Sequence, residues 1–237
     1  AVLLRPLAYD NADRIVYINQ TFNGGRGSIS PGHYRTWRDE SRTLESFGIW
    51  TPYTVNITEG EPERVTAARI TPEYFDAVHL PPALGRYFLP TETMASRVVV
   101  LSYPLWQARF GSDRGVVGKD LMLNGERHTI IGVAPAEYST TRFDERLWML
   151  WTFTPKQLES FGDHGYQLVA KLKPGVTLAQ ARDDIARITE DIRTAHPQEM
   201  NKRGSLVEIM AERNVQGYTE QLWVLFGAVG FVLLIGC

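Results

Sequence analysis

Residues 222–237 read LWVLFGAVGFVLLIGC, sixteen consecutive positions without a charged side chain, and no other part of the chain has that texture. A helix at a protein surface keeps a polar stripe facing water, so a run with no such stripe belongs inside a core or inside lipid. A spanning helix takes about 20 apolar residues for roughly 30 Å of hydrocarbon. At about 1.5 Å per residue, sixteen reach only about 24 Å. The run is therefore expected to be the start of a truncated transmembrane helix over 218–237. Leu222, Trp223, Val224, Leu225, Phe226, Phe231, Val232, Leu233, Leu234 and Ile235 form its apolar body. Tyr218 and Trp223 stand at its head, where aromatic rings favour the membrane interface. A buried C-terminal core helix is the alternative. At the other end, Ala1-Val2-Leu3-Leu4-Arg5-Pro6-Leu7 lacks the apolar core and cleavage site of a signal peptide. Paired with the C-terminal run it reads as the exit of an earlier membrane helix, and the chain as a domain looped out between two.

Between these ends the chain is of globular composition. Of 237 residues, 43% are hydrophobic and 22% charged, which suits a folded core in one or two domains. The formal net charge of −2 carries no basic excess of the kind nucleic-acid binding requires. The single cysteine, Cys237, lies in the apolar run. Disulfides, cysteine-based zinc sites and a cysteine nucleophile are thereby excluded from the preceding domain.

The pattern along the chain changes twice. In the first third, 13–18 (DRIVYI) reads as a strand and 23–28 (NGGRGS) as a flexible loop. Ser30-Pro31 opens a helix, and Tyr34, Trp37, Ser41 and Leu44 carry its aromatic face as far as about Phe47. Residues 49–57 and 64–70 read as strands, and 73–78 as a short helix. From Pro81 to about 155 strands dominate. RVVVL at 97–101 precedes a helix over 105–110. Asn124-Gly125 joins two apolar strands, as a type I′ hairpin turn demands, and 147–153 reads as one more strand. The last third has a strand at 167–172 and a helix opened by the capping box Thr177–Gln180. Leu178, Ala181, Ile185, Ile188 and Ile192 line one face of that helix, and a final strand follows at 206–210. The expected fold is α+β: a discontinuous α+β subdomain from 10–80 and 156–215, with a mainly-β subdomain inserted at 81–155.

Motifs that carry chemistry are scarce. There is no P-loop, no G-x-G-x-x-G after a strand and no G-x-S-x-G elbow. The histidines His33, His79, His128, His164 and His196 show no helical metal-ligand spacing. Asp163-His164-Gly165 reads as a polar turn, and Asp183-Asp184 as part of a solvated helix face. Tyr34 and Trp37 read as core. Trp148 and Trp151 lie on a strand whose alternate residues face opposite sides, so part of that run is expected to be exposed as a contact patch. No catalytic, cofactor or metal residue is assigned.

Six pieces, in order, carry a family resemblance: RVTAARITPEYFDAV (64–78), PALGRYF (82–88), VVVLSYPLWQARFG (98–111), VVGKDLMLNGERHTIIGVAP (116–135), LVAKLKPGVTLAQARDDIARI (168–188) and the apolar end. The series resembles the periplasmic core domain of MacB-type ABC transporter permeases, a group related to the FtsX-like permeases. The resemblance implies a Porter-like α+β part with an inserted Sabre-like part, between two helices in a bacterial inner membrane. It implies no catalytic site and no cofactor in this chain. ATP hydrolysis would belong to a nucleotide-binding ATPase subunit or domain. The implied partners are that ATPase, a second permease copy in a dimer-like arrangement, the lipid bilayer, a periplasmic adaptor and a substrate. The implied work is mechanotransmission, for example in efflux, with the helix ending near Pro197 and residues 215–222 in the relay. From the residues alone, a membrane-tethered sensor or ligand-binding module and a membrane-anchored hydrolase stay open.

Overall fold

The structure is a computed structural model that describes residues 12–78, 80–138 and 145–211. The expected membrane segment and Ala1 to Leu7 lie outside the described residues. Among the described residues no helix is long and apolar enough to cross a membrane.

The chain runs β1 (Ile15–Phe22), β2 (Gly25–Gly27), α1 (Pro31–Glu40), β3 (Leu44–Ile57), β4 (Glu63–Ile70), α2 (Tyr74–Val78), β5 (Leu84–Gly85), β6 (Val98–Leu101), α3 (Tyr103–Phe110), β7 (Asp120–Leu123), β8 (Glu126–Val133), β9 (Leu147–Leu150), β10 (Gln167–Leu172), α4 (Leu178–Ala195) and β11 (Arg203–Ile209). The eleven strands form one mixed sheet in the order β11-β1-β10-β3-β4-β9-β6-β8-β5, in keeping with the α+β expectation. The pairs β4–β9 and β6–β8 are parallel and the rest antiparallel. β7 pairs with β8 and also, through Ile57 and Leu123, with the far end of β3. Half of the sheet thus closes on itself through β3, β4, β9, β6, β8 and β7, while β11, β1 and β10 extend from it as an open wing.

Strand alternation distributes the core over three clusters. On one face of the wing, Val16, Ile18, Ile49, Leu168 and Ala170 meet Tyr34 and Trp37 of α1 and Ala181, Ile185, Ile188 and Ile192 of α4. On the opposite face Tyr17, Trp50, Val100 and Trp148 meet Tyr74 and Phe75 of α2. A third cluster gathers Val55, Ile57, Val65, Val99, Leu101, Leu123 and Ile130 with Leu105 and Trp106 of α3. The far ends of β3 and β4, which precede residue 81, therefore pack with strands that follow it.

Local signals explain several boundaries. Thr177 and Gln180 cap α4 reciprocally at 3.3 and 2.9 Å. Asn124 and Gly125 both adopt positive φ, the requirement of a type I′ turn. That turn docks on β3, since Asn124 donates its backbone N–H to the Asn56 carbonyl at 2.8 Å and accepts from the Asn56 N–H at 2.9 Å.

Three expectations need correction. The 23–28 loop is a hairpin: Asn23 and Gly24 also have positive φ, and β2 pairs with the end of β1. Helix α1 stops at Glu40, and β3 begins at Leu44 rather than at residue 49. The cause is long-range, because Asp184 of α4 binds Ser41, Arg42 and Thr43 and pulls the chain out of helical geometry. The 147–153 strand ends at Leu150 and exposes no tryptophan patch. Trp148 is buried against Phe75 and Tyr138, while on the other face Trp151 is covered by the guanidinium of Arg69, 4.7 Å from its ring centroid.

Candidate functional site

β1 and β11 are adjacent and antiparallel, with Val16 opposite Ile209. The described region is therefore entered and left on neighbouring strands at one end of the wing. Each is fastened to the layers beside it. Arg14, just before β1, donates to the Leu172 carbonyl at 3.1 Å and to Glu45 at 2.9 Å. Lys171 stands 3.9 Å from the same Glu45 oxygen. One guanidinium thus joins the start of β1 to β10 and β3, with two cations around one carboxylate. At the exit, Arg182 of α4 donates to the Val207 carbonyl at 2.9 Å.

The second tie from α4 is Asp184, which is not solvated as its place in an Asp-Asp pair suggested. Its side chain is 8% exposed. One carboxylate oxygen accepts from Ser41 Oγ at 2.9 Å, the Arg42 N–H at 2.8 Å and Thr43 Oγ1 at 2.9 Å, and Arg187 binds the other oxygen at 2.9 Å. Burial opposes its charge, but the hydrogen bonds from Arg187, the Arg42 amide, Thr43 and Ser41 outweigh burial and hold the carboxyl at about 2. With the folded value depressed, its contribution is complete above the unfolded value of 3.8 and is lost as pH falls toward 2. After allowance for solvent screening the contribution is about 1–2 kcal/mol. Asp184→Asn is expected to lower the urea midpoint near neutrality and to flatten its fall between about pH 4 and 3. Unfolding curves of both proteins at those pH values check this.

The chemically suggestive residues are engaged structurally. His33 is fully buried. Its Nδ1 lies 2.6 Å from Ser30 Oγ and its Nε2 lies 2.9 Å from Gln20 Nε2. The amide of Gln20 donates to Nε2, which leaves Nδ1–H to donate to the serine. Burial first, then the nearby His164, Arg203 and His196, hold its pKa at about 3, so the ring is neutral. His128 turns Nδ1 to the Glu126 carbonyl at 3.2 Å, and His196 packs on Phe161. Asp163 accepts from the Tyr166 hydroxyl at 3.1 Å. His79 lies outside the described residues. Tyr34 and Trp37 are core, as their spacing indicated. Among the described residues no three of His, Cys, Asp and Glu converge on a possible metal position.

No sequence motif marks the seam between the α1–α4 layer and the α3 layer. There the Arg69 guanidinium stacks 3.7 Å from the Tyr53 ring centroid and 4.7 Å from that of Trp151. Trp151 in turn meets Phe153, and Phe153 meets Tyr166. Only three-dimensional pairing brings these residues together, since β4 and β9 are parallel neighbours that lie far apart in the chain.

The sequence profile of the MacB-like periplasmic core domain matches residues 5–188. No curated protein sequence matches. Among solved structures, a domain ascribed to a permease protein of Porphyromonas gingivalis is similar at TM-score 0.64 and 17% identity, over 84% of this chain and 92% of that one. The periplasmic region of MacB from Actinobacillus actinomycetemcomitans is similar at TM-score 0.62 and 15% identity, over 92% and 99%. The extracellular domain of the noncanonic ABC-type transporter YknZ from Gram-positive bacteria is similar at TM-score 0.57 and 14% identity, over 81% and 99%.

Proposed function

We propose a function from one premise: the chain belongs to the MacB-like periplasmic core domain family. On our reading it is the non-catalytic extracytoplasmic domain of an ABC transporter permease in a bacterial inner membrane. ATP is hydrolysed by a nucleotide-binding subunit or domain elsewhere, and this domain passes the resulting motion to a substrate or periplasmic adaptor. Efflux is one form such work takes. Residues 218–237 engage the bilayer, and a second permease copy stands beside this one. We further assign 10–80 and 156–215 to a Porter-like part and 81–155 to a Sabre-like part.

The pairing of Val16 with Ile209 carries this reading. Adjacent, oppositely directed strands suit a domain slung between two membrane helices, because a small displacement of either flank acts on the same end of one sheet. The ties from Arg14 to β10 and β3, and from Arg182 and Asp184 of α4 to β11 and to the corner before β3, support transmission through packed elements rather than dissipation in a loose loop. Domain motions of this class are hinge or shear movements of such rigid pieces.

The reading is tested in the intact transporter, reconstituted in lipid nanodiscs with its ATPase. Cys237 is replaced by Ser and a spin label is placed at exposed Glu190 through Glu190→Cys. Double electron–electron resonance is expected to give one inter-copy distance distribution without nucleotide and a displaced one in the vanadate-trapped state. Identical distributions in both states would overturn mechanotransmission, and absence of any dipolar coupling would overturn the second copy.

A further inference from the structure

Gln20 of β1, His33 of α1 and Arg203 of β11 meet at the end of the wing opposite the entry and exit. Their hydrogen bonds fix every donor in the chain between them. A guanidinium can only donate, so the oxygen of the Gln20 amide faces Arg203 Nη1, at 3.2 Å. The amide nitrogen then faces His33 Nε2 at 2.9 Å and donates to it. Nε2 is therefore without a proton, and Nδ1–H donates to Ser30 Oγ at 2.6 Å. Gln20, Ser30 and His33 are all fully buried, so water does not stand in for a lost partner.

This chain suits one protonation state only. A proton on Nε2 would set donor against donor across the 2.9 Å contact with Gln20. Met200 Sδ, 3.1 Å from Nε2, is a weak acceptor, and using it leaves that opposition in place. Turning the Gln20 amide over relieves it, but then presents the amide N–H groups to Arg203, which has no lone pair to accept them. In either case one joint fails. The joint holds down the connection from α4 to β11. Met200, in the middle of that connection, is fully buried, with its sulfur 3.4 Å from Gln20 Nε2. Three backbone bonds surround it: Met200 N–H to the His196 carbonyl at 3.0 Å, Arg203 N–H to the Met200 carbonyl at 3.1 Å, and Asn23 N–H to the Lys202 carbonyl at 3.1 Å.

We propose that Gln20, His33 and Arg203 form a proton-sensitive clasp, in which a proton on His33 undoes the amide joint and favours release of the 198–203 connection from β1 and α1. The clasp is a property of the fold and does not rest on the transport reading. The groups around His33 oppose a proton in the closed form. His164, before β10, lies 6.2 Å away between ring centroids. His196, at the end of α4, shares the Phe161 ring with His33. These two and Arg203 are all basic and act against a charged His33, after burial. Of the acidic groups in this corner, Asp163 favours charge on His164, and Glu199 lines an open cavity of about 330 Å³ with Phe22, His164 and Arg203. The closed ring is held at about 3, against 6.5 for a free histidine. With the closed value depressed, the advantage of the closed form is complete above 6.5 and is lost progressively as pH falls toward 3.

The test is hydrogen exchange, followed by NMR on the full chain in mild detergent, at the amides of Asn23, Met200 and Arg203. Rates at pH 6.5 and 4.5 are corrected for intrinsic exchange. One proton taken up on opening raises the opening constant about tenfold per pH unit below the free value, hence roughly fiftyfold over this interval. Thr71 and Ala134, whose N–H groups bond to Ile49 and Leu101 away from the clasp, are expected to exchange more slowly at both pH values, which marks the release as local. His33→Gln is expected to lose most of the acid response, and His164→Gln to keep most of it. Gln20→Glu keeps the clasp shut in acid, because a carboxylate accepts from a protonated His33 and from Arg203 at once. Its acid response is expected to vanish and the His33 ring midpoint to rise. Ring nitrogen shifts are expected to show the Nδ1–H form of His33 in the unmodified chain near neutrality. Exchange that is the same at both pH values, a full response in His33→Gln or Gln20→Glu, loss of the response in His164→Gln, equal rates at all five amides, or an Nε2–H ring near neutrality would overturn the proposal.

Discussion

Gly48→Val is expected to lower the unfolding free energy by about 3–6 kcal/mol, a large part of what a domain of this size has. Gly48 sits inside β3, where α2 crosses the sheet. A Cβ placed there would stand 2.4 Å from the Tyr74 Cα and 3.0 Å from its Cβ. The first of those atoms is backbone and cannot turn aside. Either β3 bends, which breaks its register with β4 and β10, or α2 lifts. Lifting α2 withdraws Tyr74, Phe75, Ala77 and Val78, all buried, from the cluster they share with Trp148 and Val100. Fully burying one large apolar side chain is worth about 1.5–3 kcal/mol, and two aromatic rings are at stake. Gly165→Ala is the matched control, since nothing lies within 4 Å of the added carbon and its φ is not positive. Urea unfolding of the full chain in mild detergent, followed by circular dichroism, compares the three proteins. A midpoint for Gly48→Val close to that of Gly165→Ala would mean that α2 does not dock on β3 as described.

Nothing in the sequence distinguishes Gly48 from a glycine in a turn, because its role depends on a helix more than twenty residues away. The same division recurs across the fold. Short-range chemistry was readable. Thr177 and Gln180 mark the start of α4, Ser30-Pro31 the start of α1, and Asn124-Gly125 a hairpin. Asn23-Gly24 is the same hairpin signal, obscured by the glycines that follow it. Ser30 also acts differently from expectation, since its hydroxyl meets His33 rather than a helix N–H. Long-range pairing was not readable. Leu44 continues the helical spacing of Tyr34 and Trp37, yet it opens β3 because Asp184, across the domain, holds the corner at Ser41 to Thr43. Ring closure rests on Ile57 facing Leu123, two ordinary apolar residues whose meeting no periodicity announces. The candidate sites divide likewise. The apolar run that marks the expected membrane segment is continuous and visible in sequence. The cavity around Arg203 and His164 draws on three separated segments and appears only on folding.

Trp37→Ala is expected to cost about 3–5 kcal/mol, the usual range for removing a fully buried tryptophan. Trp37 has no exposed surface and packs among Ala181, Ile185, Ile188 and Ile192 of α4 and the wing of the sheet. Its Nε1–H donates to Thr189 Oγ1 at 3.1 Å, and that hydroxyl donates in turn to the Ile185 carbonyl at 2.6 Å. Two effects are therefore combined in the alanine variant, lost packing and a lost hydrogen bond, and Trp37→Phe separates them. Phenylalanine keeps most of the apolar area. The threonine stays satisfied through Ile185, so no buried group is orphaned and the cost is expected to be about 1–2 kcal/mol. A double-mutant cycle of Trp37→Phe with Thr189→Val isolates the contact itself, expected at about 0.5–1.5 kcal/mol. The consequence extends beyond stability. α1 touches the sheet through Tyr34 and Trp37, whereas α4 carries Arg182 and Asp184, the ties to the exit strand and to the corner before β3. Loosening α1 from α4 frees that corner while the strand pairings of β1 with β10 and β11 remain. Hydrogen exchange in Trp37→Ala is accordingly expected to rise in α1 and at Arg42 and Thr43 well before it rises in β1 and β10. Uniform exchange across all four segments would show instead that the helical layer and the wing open as one unit.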